Sequence, residues 1–224
     1  MLLSRDKIRE HMEKGSIVIE PFNERNLKTV SYDITLGEWF WREGHPSGRA
    51  TLHNMYDAES TKRVWQGPFK AENASQVGEM LGTKLVGIRP DEEVILLGPG
   101  ETILAHTKEY IGGRDVVVAK MYARSSMGRN FVEVCKDAGW GDVGYFNRWT
   151  MEVTNNSQHY SIPLVVGRRV GQMVFYEVAP IERKKDYAAD SGKYQASQDL
   201  AELQRAWNPH MMIPQMHKDW EVMR

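Results

Sequence analysis

The spacing of apolar positions changes once along the chain, and early. Over residues 5–14, Ile8 and Met12 share a helical face, Ser4 stands at the N-cap, Asp6 sits in the first turn and Gly15 follows as a stop. That pattern predicts one short helix, with His11 on its surface. From residue 16 onward short runs take over: 16–20, 31–36, 38–42, 93–97, 102–107, 115–122, 150–154, 160–166 and 171–178. They are rich in Val, Ile, Tyr, Phe and Thr, and Gly, Pro, Asn and Asp punctuate them. This is the signature of strands, and their spacing predicts a barrel, sandwich or jelly roll. Residues 55–90 are more polar and predict a loop or a short helix around 74–81. After Pro180 a charged stretch, 182–186, leads into a Ser/Ala/Gln-rich segment and a tail carrying Pro209 and Pro214. Few large apolar residues occur there, and Ala188, Ala189, Ser191 and Gly192 favour mobility, so an arm is expected that drapes over the domain or moves. The expected division is one β domain over 1–180 and an arm over 181–224.

Composition narrows the class. A chain of 224 residues can bury one substantial core. Its 29 Lys and Arg against 30 Asp and Glu leave a net charge of −1, so no global basic field argues for polymeric nucleic acid or an anionic membrane surface. A small anionic ligand needs only a few local cations. The single cysteine, Cys135, allows no internal disulfide and fits a reducing cytoplasm, a host's if the chain is viral. The first residues lack the apolar core of a signal peptide, and no apolar run approaches the roughly 20 residues that span a bilayer.

Candidate chemistry concentrates in 124–152. Arg124-Ser125-Ser126-Met127-Gly128-Arg129 places two guanidinium groups and two hydroxyls around a glycine just after a strand. Such a set suits a polyphosphate; a Ser-rich turn with solvated arginines is the alternative. Gly141, Asp142, Gly144 and Tyr145 share one tight turn, where Asp142 could accept from a sugar hydroxyl and the Tyr145 ring could lie under the sugar; an ordinary Asp-Gly turn fits as well. Glu152 is the sharpest anomaly, a lone carboxylate in mid-strand. On an inward face it needs a partner or a task, on an outward face it is merely solvated. Zinc deaminase chemistry is excluded: His11-Met12-Glu13 matches a short His-x-Glu element, but the Pro-Cys-x-x-Cys partner is missing. No phosphate-loop, nucleophile-elbow or His-Glu-x-x-His pattern occurs. Cys135 reads as a packed strand thiol.

Taken in order, these stretches resemble the dCTP deaminase branch of the dUTPase superfamily, particularly its bifunctional deaminase–dUTPase members. The resemblance runs from Leu3 to about Gln198. It begins with Leu2-Leu3-Ser4-Arg5-Asp6 and Ser31-Tyr32-Asp33-Ile34-Thr35-Leu36-Gly37 and continues with Pro99-Gly100-Glu101 through His106. Arg124 to Arg129 is similar to the family's triphosphate-binding element. Ala138-Gly139-Trp140 with Asp142 resembles its Ala-Gly-Phe/Trp-Ile-Asp turn. Glu152 falls where the catalytic glutamate falls, Gly171-Gln172 on its Gly-Gln strand, and Tyr187, Lys193 and Gln198 on the residues that close over the nucleotide. The chain departs from the pattern at Cys135 (usually His), Asp137 (usually Thr) and Gly141 (usually Ile), and Lys193 to Gln198 is one residue longer than usual. These departures leave dTTP feedback, and the choice between cytosine and a modified cytosine, open.

The resemblance implies a mainly all-β fold, a dUTPase-like distorted β-barrel or jelly roll with a short N-terminal helix and a C-terminal arm. It implies a homotrimer that deaminates deoxycytidine triphosphate to dUTP and ammonia, with hydrolysis to dUMP and pyrophosphate as the bifunctional extension. Glu152 would be the general base, with Ser125 and Arg129 placing the water. Arg124, Ser126, Ala138, Asp142, Tyr145, Thr150, Met151, Gln172, Tyr187, Lys193 and Gln198 would bind substrate. Mg2+ would arrive with the triphosphate, and the protein itself would hold no metal. Two other classes fit the same residues: a dUTP diphosphatase in which Asp142 orients water at the α-phosphate, and an inactive nucleotide-binding regulator, suggested by Cys135 and Asp137.

Overall fold

In the computed structural model, residues 1–46, 48, 51–181, 186–187, 192–195 and 197–223 are described. The expected charged stretch 182–185 and the small residues 188–191 lie outside them. Helix α1 spans Arg5–Glu13, after Ser4 in extended backbone, and the chain turns at Gly15 with φ of 77°. Ile8 is buried and Met12 packs against the core, as their shared face requires. His11 departs from the surface expectation: it is buried, with Nδ1 2.8 Å from Ser16 Oγ. A hydroxyl one turn beyond satisfies the ring, which removes the cost of burying it.

Among the described residues, nine strands form one curled sheet in the order β8-β10-β6-β2-β12-β7-β9, with β1 on β6 and β3 on β2. They are β1 (Ile17–Glu20), β2 (Tyr32–Glu43), β3 (Trp65–Lys70), β6 (Thr102–Gly113), β7 (Val117–Ala123), β8 (Val132–Glu133), β9 (Trp140–Gly141), β10 (Phe146–Asn155) and β12 (Arg169–Glu177). A smaller sheet pairs β11 (Ile162–Val165), β5 (Glu93–Leu97) and β4 (Glu72–Asn73). Ile34, Leu36, Ile103, Ile111, Met151 and Phe175 fill the main core, and burying each such side chain contributes roughly 1.5–3 kcal/mol.

Two expected strands, 31–36 and 38–42, are one strand, β2, whose register on β6 shifts between Leu36 and Phe40. Gly37, which reads as a break in sequence, instead makes room: a Cβ there would lie 2.0 Å from the His106 ring. The segment 55–90 holds more than one short helix. Asp57 caps α2 (Ala58–Val64) by accepting from Ser60 N–H at 2.8 Å, edge strand β3 follows, and α3 occupies Ala74–Leu81 as expected. Gly67-Pro68 hid β3, since Pro donates no ladder bond and belongs at a sheet edge.

The tail packs on the domain. Helix α5 (Leu200–Ala206) is capped by Asp199 and followed by 3-10 turns at Pro209–Met212 and Met216–Lys218. Leu203 packs with Tyr110 and Phe146, and Met212 packs with Trp41 and Leu104. These sheet residues therefore sit between two layers, and the tail forms the outer one.

Candidate active site

Glu152 lies on the outward face, yet it is not simply solvated there. Along β10, Met151 and Val153 point into the main core. Its cross-strand partners place Glu152 opposite Leu104, and Leu104 opposite Trp41, one row across three strands. The neighbouring row is Met151, Ala105 and Phe40, all in the main core. Side chains alternate between sheet faces, so the carboxylate leaves the barrel on its outer face, beneath the tail. Burial is the largest influence on it and pushes its pKa up, while a bond from its own backbone and the Lys136 ammonium pull it partly back.

A cavity of about 480 Å³ opens in front of this row. Ala138, Asp142, Tyr145, Thr150, Glu152, Tyr187 and Lys193, all expected at the site, line it together with Leu104, Trp140, Gly141, Trp149, Tyr194, Met212 and Pro214. The β10 register shifts between Arg148 and Thr150, where Trp149 N–H donates to Thr107 Oγ1 at 2.9 Å. The indole is then fixed by Nε1–H donating to the carbonyl of Ile111 at 2.6 Å. It explains Gly141: a Cβ there would lie 2.4 Å from the Trp149 ring. The Tyr145 ring meets Trp149 and Tyr187 edge-on, with centroids 5.1 and 5.0 Å apart, and burial raises its pKa. Edge-to-face packing of this kind fixes a ring's plane. Trp140 Nε1–H donates to Asp142 Oδ1 at 2.8 Å, which orients the carboxylate and leaves its second oxygen available.

The arm is tied in at several points. Gln195 accepts from Phe146 N–H at 2.8 Å and donates to the carbonyl of Gly144 at 2.7 Å. Asn147 donates to the carbonyl of Tyr194, and Tyr187 N–H donates to that of Val143. Gln198 donates to the carbonyl of Gly144 at 3.1 Å, beside the cavity rather than in it. Lys193 forms an ion pair with Asp219 of the tail, which raises the lysine's pKa. Tyr194, Gln195, Met212 and Asp219 were not anticipated; only the Tyr-Lys-Gln spacing of the arm hinted at the neighbourhood.

The remaining expected residues lie elsewhere. Ser125 and Ser126 open the four-residue helix α4 (Ser125–Gly128), Arg129 follows it, and all three side chains are exposed without a partner among the described residues. Arg124 lies at the buried carboxylate of Asp33, its Nε 3.8 Å away, where Arg169 also pairs at 3.0 Å and Gln172 donates at 3.4 Å. Met151 can offer the cavity only its backbone. Cys135 is buried as expected, though in the turn after β8 rather than in a strand, and burial pushes its thiol up. Lys136 and Asp137 in that turn have φ of 40° and 61°, and Ala138 N–H closes it onto the carbonyl of Cys135. Asp tolerates that backbone far better than a β-branched residue, which accounts for the departure at 137.

The fold and the cavity define a mainly β protein with a carboxylate-bearing pocket. Residues 2–178 match the family model described as dCTP deaminase-like. A dCTP deaminase, dUMP-forming, of Methanosphaerula palustris is 30% identical over 196 residues, covering 87% of this chain and 90% of that one. Its counterpart in Methanobrevibacter smithii is 30% identical over 196 residues, with 86% and 89% covered. Among solved structures, the 2'-deoxycytidine 5'-triphosphate deaminase of Agrobacterium tumefaciens is similar with a TM-score of 0.51 at 16% identity; it covers 77% of this chain, which spans about half (47%) of that one. The chain belongs to the dCTP deaminase-like family of enzymes. No helix among the described residues is long and apolar enough to cross a membrane.

Proposed function

We propose that this protein hydrolyses the 4-amino group of dCTP, giving dUTP and ammonia, and then cleaves dUTP to dUMP and pyrophosphate. The observation that carries the reading is the Glu152 carboxylate, raised in pKa by burial, opening into a cavity shared with Asp142 and Tyr145. A carboxylate raised above its ordinary range holds a proton more readily, which suits a group that must take one and return it. Glu152 removes a proton from water as the oxygen attacks C4 and delivers one to N3. It then relays a second proton to the amine as the C4–N bond breaks and the C4 carbonyl forms. The free oxygen of Asp142 accepts from the sugar hydroxyl, the Tyr145 ring lies beneath the sugar, and the Ala138 carbonyl reads the exocyclic amine. The relatives named as dUMP-forming support the second step.

The phosphate side of this reading comes from a neighbouring subunit of a homotrimer. Ser125, Ser126 and Arg129 are exposed, unpaired among the described residues and absent from the cavity lining, while Arg124 and Gln172 sit at Asp33. An unpaired guanidinium beside two hydroxyls suits a triphosphate held on an adjacent chain. Mg2+ enters as part of the substrate, Mg·dCTP, with phosphate oxygens and water as ligands. The test is incubation with dCTP or with dUTP plus Mg2+, with products separated by anion exchange and ammonia measured. The reading expects ammonia and dUMP from dCTP, and pyrophosphate from either. Pyrophosphate from dUTP with no ammonia from dCTP would leave a diphosphatase, and binding without turnover a nucleotide sensor.

A further inference from the structure

We infer that Met212, in the tail beyond the stretch that matches the family model, determines which substituents the pocket accepts on the base. The inference rests on the deaminase reading of the same cavity. Glu152 and Leu104 are directly cross-strand, a separation of about 4.5–5.5 Å between Cβ atoms. Met212 is buried on Leu104 and Trp41 and lines the cavity. Whatever ring atom Glu152 serves therefore lies within a residue's breadth of the Met212 side chain. The sugar side of the cavity belongs to Asp142 and Tyr145, which leaves Met212 the edge of the base next to C4.

The segment that carries Met212 is also held. On one side of it, the carbonyl of Pro209 accepts from Trp41 Nε1–H at 2.9 Å. On the other, Gln215 N–H donates to Tyr194 Oη at 3.0 Å, and Asp219 pairs with Lys193. Anchors before and after Met212 make it a fixed wall rather than a swinging flap.

Binding of dCTP and of 5-methyl-dCTP to the full-length Glu152→Gln protein tests this without depending on turnover. Adding Met212→Ala is expected to shift the affinity ratio toward 5-methyl-dCTP by about tenfold, the scale of one methyl group in an apolar pocket. Adding Met212→Phe is expected to shift it the other way, and Met212→Leu to keep the parent ratio. The Phe variant fills rather than empties, so the test survives if the Ala variant fails to fold. A ratio unmoved by both Ala and Phe overturns the inference while the deaminase reading stands. A parent that binds neither nucleotide overturns both.

Discussion

The cavity under the tail and the α4 turn carry the two halves of one expected site, and the chain treats them oppositely. Around Glu152, strand register, a fixed indole and three tail anchors hold the walls of the cavity before a ligand arrives. At α4, two hydroxyls and a guanidinium stand in solvent with no partner among the described residues. Preorganised groups are what a reacting centre needs, since reorganisation at the moment of reaction raises the barrier. Exposed, unpaired cations are cheap to keep in water and gain most when a polyphosphate desolvates them. On the proposed reading, the chain by itself builds the chemistry of the site and leaves its phosphate grip to assembly.

Breaking the comparison at Glu152 should have the largest effect. Glu152→Gln is expected to lower ammonia release from dCTP by about 10²–10⁴-fold while nucleotide binding stays within about tenfold. Because the active form is the carboxylate, wild-type activity is lost as pH falls through the folded pKa. That pKa lies above the ordinary 4.5, so the acid limb of kcat/KM should have its midpoint above 4.5. Arg129→Ala should cost about 10–100-fold in kcat/KM, the scale of one charge-assisted hydrogen bond, with thermal stability unchanged because the side chain is exposed and has no partner among the described residues. A fall in melting temperature with that substitution would contradict its solvent exposure.

The covered side should also respond to pH in its stability. His106 is wholly buried under Trp207, accepts from Trp39 N–H and bonds the carbonyl of Thr107, and burial lowers its pKa from 6.5 to about 4. The unfolded chain takes up this proton below 6.5 and the folded chain only below about 4, so stability falls as pH drops through that window, by up to about 3 kcal/mol. Denaturant titrations of wild type and His106→Gln at pH 7 and pH 4 should show the variant losing less on acidification. The smallest effect is expected from Trp140→Phe, which removes one donor from Asp142. It should raise KM for dCTP about 2–10-fold with kcat nearly unchanged; an unchanged KM would separate Asp142 from the sugar.

Much of this was legible in the sequence. Short runs rich in Val, Ile, Tyr, Phe and Thr, punctuated by Gly, Pro, Asn and Asp, gave most strands, α1 fell where its cap and spacing put it, and α3 lies in the polar stretch that allowed a short helix. Gly37 and Gly67-Pro68 misled, because a glycine that admits a neighbouring ring and a proline on an edge strand look like chain breaks. His11 misled for a related reason: its partner Ser16 lies past the helix end, where helical spacing says nothing. The cavity residues in 138–152 could be named in advance because they are close in sequence. Met212 and Asp219 could not, since only the folded tail brings them to Leu104 and Lys193. Nor could the sequence choose a face for Glu152, because a surface that is outside the barrel yet covered by a distant segment satisfies neither simple alternative.

The division of one site between two chains is tested most directly by complementation. Glu152→Gln and Arg129→Ala proteins, each impaired alone and the first more severely, are co-expressed with different tags and the mixed oligomer is purified through both. The account predicts that ammonia release from dCTP returns, because some sites then pair an intact Glu152 with an intact Arg129 from the neighbouring subunit. Mixed oligomers that form but are no more active than the Arg129→Ala parent would contradict it, and would place both halves of the site within a single chain.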